Sequence, residues 1–127
     1  MPNTEIEEFA RILVRQVRDA AIRDCDRNLR ADAGGPVAER WRELAPRGDF
    51  ELVASTIIPD IVDDTVFQLL QAIDGGLLRL SFTASNGKKV DLTADGLGEL
   101  AGWYVGVPGW RSNYSSERFT DDCADLR

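Results

Sequence analysis

The stretch Leu78-Arg79-Leu80-Ser81-Phe82-Thr83-Ala84-Ser85-Asn86-Gly87-Lys88-Lys89-Val90-Asp91-Leu92 decides the fold class. Apolar and polar residues alternate on both sides of an Asn-Gly pair, the strongest local signal for a β-hairpin, because both residues tolerate the positive φ of a type I′ turn. This spacing predicts strands over Leu78–Ala84 and Val90–Leu92. An isolated hairpin is marginal in water, so Leu78, Leu80 and Phe82 are expected to pack on helices or on another chain.

Upstream of the hairpin the apolar residues recur at helical spacing. Thr4 and Glu7 form a capping box, and Ile6, Phe9, Ala10, Leu13, Val17 and Ala21 form one buried face from about residue 5 to 21. Beyond it, Ile22, Cys25 and Leu29 project on the side occupied earlier by Arg11, Arg15 and Arg18, an i, i+4, i+7 stripe expected to pair with neighbouring acids or with the acidic helix across the fold. That shift predicts a bend near residues 20–24, or packing against a different element or a second chain, so a homodimer through Ile22, Cys25 and Leu29 is expected. Gly34-Gly35 ends the helix, and Pro36 opens a short one carrying Val37, Trp41 and Leu44.

Pro46-Arg47-Gly48-Asp49 reads as a turn, and Phe50–Ile58 as a short helix with strand as the alternative. Pro59 opens a helix to about Asp74 with Val62, Val66, Leu69, Leu70 and Ile73 inward, and Gly75-Gly76 stops it. After the hairpin, Thr93 or Asp95 caps a helix through Leu97, Leu100, Trp103 and Tyr104. The fold class is α+β, mostly α: four to five helices and one antiparallel hairpin, about 77–92, packed on them. Residues 1–120 form one domain and 121–127 a polar tail.

Composition narrows the function. The chain has 127 residues, no His, and a net charge of −7 from 15 basic and 22 acidic residues. Such acidity excludes a basic nucleic-acid footprint, and the missing His excludes Ser-His-Asp, Cys-His and His-ligated zinc chemistry. No segment reaches the roughly 20 apolar residues of a membrane span, nothing resembles a signal peptide, and two distant cysteines fit reduced thiols. A cytoplasmic location is therefore expected, and 13 Arg against two Lys hints at a bacterial source.

The charge is concentrated. Residues 49–76 contain six acidic and no basic residues. Asp60, Asp63 and Asp64 stand at i, i+3, i+4 on one helical turn, with Phe67 on the same polar side. An aromatic anchor ringed by carboxylates suits a basic protein partner, with burial supplying affinity and charge supplying encounter rate. Trp110 and Arg111, in a Pro-Gly turn, are the other candidate contacts. The alternatives are a Mg²⁺- or Mn²⁺-dependent phosphohydrolase built on the three aspartates, and a small-ligand binder built on Trp103, Trp110 and Tyr114. Gly96-Leu97-Gly98-Glu99-Leu100-Ala101 matches a dinucleotide-binding pattern, but the strand before it belongs to a hairpin and not to a βαβ unit. The expected function is a non-catalytic, cofactor-free interaction protein of inhibitor or immunity type.

Overall fold

The computed structural model describes residues 3–30, 32–44 and 50–121. The turn expected at Pro46–Asp49 and the tail from residue 122 lie outside them. The fold is mostly α with a two-stranded antiparallel sheet, as the sequence implies. A continuous helical rod comes first: α1 (Thr4–Ile12), a π-helical stretch (Leu13–Arg18) and α2 (Asp19–Asn28). Then follow α3 (Pro36–Leu44), α4 (Phe50–Asp74), β1 (Ser81–Thr83), β2 (Lys89–Asp91), α5 (Leu92–Asp95), α6 (Leu100–Val105) and α7 (Trp110–Tyr114).

The π-helical stretch accounts for the displaced apolar stripe. In an α-helix a row of residues four apart drifts about 40° per step, whereas wider i→i+5 turns remove that drift. Ile6, Ala10, Val14, Arg18 and Ile22 therefore stay on one line, and all five are 0% exposed. Val17, expected inside at α-helical phase, is turned out to solvent, and Arg18 takes the interior position. The rod's second half does find a different neighbour, but within the chain. Ile22 forms a small core with Ala54 and Ile58, and Cys25, Leu29, Trp41, Phe50 and Val62 pack around it. The surface read as a dimer contact is thus occupied by α3 and α4.

Phe50–Ile58 is helical, and Pro59 interrupts nothing: α4 runs unbroken for 25 residues. Proline has no N–H, so the carbonyl four residues back loses its helical partner. Here the Arg118 guanidinium fills the gap, donating from Nε (3.0 Å) and Nη2 (2.8 Å) to the Ser55 carbonyl. The same side chain pairs with Asp26 on α2, so Arg118 ties the rod to α4 at the proline.

The main core lies between α1, the C-terminal half of α4 and the segment after the hairpin, with Leu70, Ile73, Leu92, Leu100 and Tyr104 at its centre. Leu69, expected on this face, is exposed. Asp74 at the end of α4 accepts from the Leu100 and Ala101 amides, both at 3.0 Å, satisfying orphan donors at the start of α6. Asn3, not Thr4, caps α1, accepting from the Ile6 amide at 2.7 Å. Asp91, not Thr93 or Asp95, caps α5.

The hairpin pairs Ser81 with Asp91, Phe82 with Val90 and Thr83 with Lys89. Its turn differs from the expected type I′. Only Gly87 has positive φ (+87°), the Gly87 amide bonds the Ala84 carbonyl, and the Ala84 amide bonds the Lys88 carbonyl. This is the three-residue loop in which a left-handed glycine follows a type I turn. Phe82 packs edge-on against Phe9, whereas Leu78 and Leu80 precede the paired residues and remain exposed.

Candidate functional site

Asp63 lies on α4 in line with Val66, Leu70 and Ile73, at i, i+3, i+7 and i+10, so the helix turns it inward with the core residues. Arg18 meets it from the rod. The Arg18 Nε and Nη2 donate to Asp63 Oδ1 (2.7 Å) and Oδ2 (3.3 Å). Nη1 donates to Asp19 Oδ1 (2.6 Å) and Ser115 Oγ (2.8 Å), and Nη2 also reaches the Arg118 carbonyl (2.6 Å). Five donors thus meet five acceptor contacts, the full capacity of a guanidinium.

Asp63 is equally saturated. Tyr104 Oη donates to Oδ1 at 2.6 Å and Arg111 Nη1 to Oδ2 at 2.9 Å, beside the two bonds from Arg18. Arg111 also donates through Nη2 to the Val105 carbonyl and lies over the rings of Phe119 and Tyr104. Among the described residues its buried Nε has no hydrogen-bond partner. Arg18 and Asp19 are wholly buried, while Asp63 and Arg111 are 7% and 6% exposed.

Electrostatics follow from this packing. Burial pushes the Asp63 carboxyl up, but hydrogen bonds from Arg18 and Tyr104 and the neighbouring guanidinium charges outweigh it and hold the group below the usual carboxylate range. Burial, reinforced by the hydrogen bond and charge of Asp63, raises the Tyr104 phenol well above its ordinary value. The carboxylate stays ionised, the phenol stays protonated, and two guanidiniums balance two carboxylates. With every lone-pair direction of Asp63 occupied, the cluster has no free base, and its chemistry is structural.

The segment after α7 closes the cluster. Ser115 and Ser116 bond Asp19, Phe119 lies over both guanidiniums, and Arg118 anchors the strap to α2 and α4. Beside it opens a cavity of about 420 Å³, lined by Asp60, Asp63, Asp64, Phe67, Val105, Arg111 and Thr120.

The three predicted carboxylates therefore part company. All three border the cavity, but Asp60 and Asp64 are exposed there, while Asp63 is 7% exposed and bound by Arg18, Tyr104 and Arg111. Among the described residues no group of three or more His, Cys, Asp or Glu is placed to hold a metal ion, so the alternative set of Asp60, Asp63 and Asp64 is not assembled. Phe67 is half-buried against the core and borders the cavity. Trp110, expected at the surface, is 2% exposed and packs on Phe9 and Trp103; Arg111 beside it belongs to the buried cluster. Tyr114 donates to Glu7 at 2.9 Å, and none of the three aromatics of the ligand-binding alternative lines the cavity beside the cluster.

Asp19, Tyr104, Ser115 and Arg118 are not legible as site residues, whereas Arg18 is: it belongs to the arginine stripe expected to pair with neighbouring acids or with the acidic helix, it does pair with Asp19 and Asp63, and it continues the row of Ile6, Ala10 and Val14. None of the described helices is long and apolar enough to cross a membrane. No family model, no curated protein and no solved structure matches the chain.

Proposed function

We propose that this chain is a small acidic interaction protein without catalytic machinery, of inhibitor or immunity type, binding a basic protein partner through α4. The observation that carries the reading is the division of charge. Arg18 and Arg111 are neutralised by Asp19 and Asp63 inside, while Asp60 and Asp64 remain exposed beside Phe67 at an open cavity. No basic residue lies between 49 and 76 to offset them. Carboxylates so placed steer a basic surface to an apolar contact, which raises the association rate and suppresses acidic competitors. A bacterial cytoplasm is the setting that the arginine bias and the sparse cysteines fit.

Titration with a panel of small basic nucleases, followed by anisotropy, tests this. Affinity should fall with added salt, and D60K/D64K should weaken it by about tenfold or more. Binding indifferent both to salt and to D60K/D64K refutes the reading.

A further inference from the structure

The outward side of α4 carries more than charge. Val53, Ile57 and Ile61, four residues apart, are 52%, 46% and 59% exposed. Asp60 and Asp64 stand on the same side and also line the cavity, so the apolar row and the cavity form one continuous surface. An unbroken 25-residue helix holds this row in fixed register. Three β-branched side chains in a row leave an apolar seam that water solvates poorly, and such a seam marks an interaction surface more than a solvated face.

The charges around the seam select its occupant. A second copy brings Asp60 and Asp64 against their own counterparts or against a helix that has no Lys or Arg to receive them. Juxtaposed like charges oppose that contact by several kcal/mol in the general case. A segment with apolar residues at helical spacing and basic residues on its flanks meets both features at once: its apolar row seats on Val53, Ile57 and Ile61, and its cations face Asp60 and Asp64. Beside them, Phe67 and Val105 give the cavity an apolar wall suited to the methylene stem of a Lys or Arg, whose charged head would stay at the two carboxylates. The geometry points to α4 as a docking face for a basic amphipathic helix of a partner protein, recognised helix against helix. The inference rests on the acidic-interaction reading above and specifies the shape that the partner presents.

The test uses the full chain and two fluorescent peptides of identical composition. One has leucine at helical spacing with lysine elsewhere; the other is a scrambled order that cannot form an apolar row. The helical peptide should bind at least about tenfold more tightly than the scrambled one. I57S/I61S should lose about tenfold even at low salt, and D60K/D64K should lose at least as much and flatten the salt dependence. Both pairs are exposed, and circular dichroism of each variant confirms an intact fold. Equal binding of the two peptides leaves charge attraction alone and overturns the helix-docking inference, while the broader reading stands. No binding of either peptide at low salt overturns both. Sedimentation of the native chain as a dimer that I57S/I61S converts to monomer assigns the face to a second copy, and the inference is then wrong.

Discussion

Replacing Asp63 with alanine separates the inward member of the aspartate triplet from its outward neighbours. The substitution removes four hydrogen bonds at once: two from Arg18, one from Tyr104 and one from Arg111. Arg18 keeps Asp19, Ser115 and the Arg118 carbonyl, so its charge remains paired. Arg111 keeps the Val105 carbonyl, and among the described residues its buried Nε has no partner, so it bears most of the loss. Deleting one partner of a buried ion pair costs about 3–5 kcal/mol, and with one guanidinium still paired the expectation for D63A is about 4 kcal/mol. That is a large share of the roughly 5–15 kcal/mol that holds a domain folded. In a chain of this size it lowers Tm by about 15 °C. Urea denaturation followed by circular dichroism and tryptophan fluorescence measures it. D60A and D64A, at exposed positions, should each stay within about 0.5 kcal/mol of the parent. Adding R111M to D63A removes the stranded charge and should recover about 1 kcal/mol or more. A D63A chain within about 1 kcal/mol of the parent, or a D60A chain as unstable as D63A, refutes the buried-cluster account.

The cluster also sets the pH limits of stability. Asp63 is held below its unfolded value of about 3.9, so its contribution is complete above that pH and fades as pH falls through the folded value. Tyr104 is raised above about 10, so its contribution is complete below that pH and fades as pH rises toward the folded value. Urea midpoints across pH should show D63N flattening the acid limb and Y104F the alkaline one. A separate cycle tests the proline gap. R118A should cost about 1–2 kcal/mol, reduced from the usual worth of charged hydrogen bonds because Arg118 is partly exposed. In a P59A background, where residue 59 regains an N–H for the Ser55 carbonyl, the cost should shrink by about 0.5–1 kcal/mol; strict additivity in denaturation midpoints refutes the coupling.

Periodicity made the elements legible but not their phase. Val17, Arg18 and Asp63 change sides where the backbone leaves the ideal 3.6-residue turn or where one charge meets another distant in sequence. Val17 and Arg18 exchange sides because six π-helical residues slip the phase, and no local propensity in Leu13–Arg18 announces that slip. Pro59 reads as a helix start because its cost is local, whereas the compensation comes from Arg118, 63 residues from the carbonyl it reaches. Asp63 resembles Asp60 and Asp64 by type and spacing, yet it alone falls in line with Val66 and Leu70, and a carboxylate can occupy that line only when cations come to it. The rod's π turn brings one, and the α6–α7 turn brings the other. The irregularities are therefore linked: the π-helical slip puts Arg18 inside, Arg18 and Arg111 make Asp63 tolerable there, and the strap from Ser115 to Arg118 both caps Arg18 and repairs the helix at Pro59. With that internal charge cancelled, the acidity of α4 that reaches solvent is carried at its middle by Asp60 and Asp64, beside the exposed row of Val53, Ile57 and Ile61.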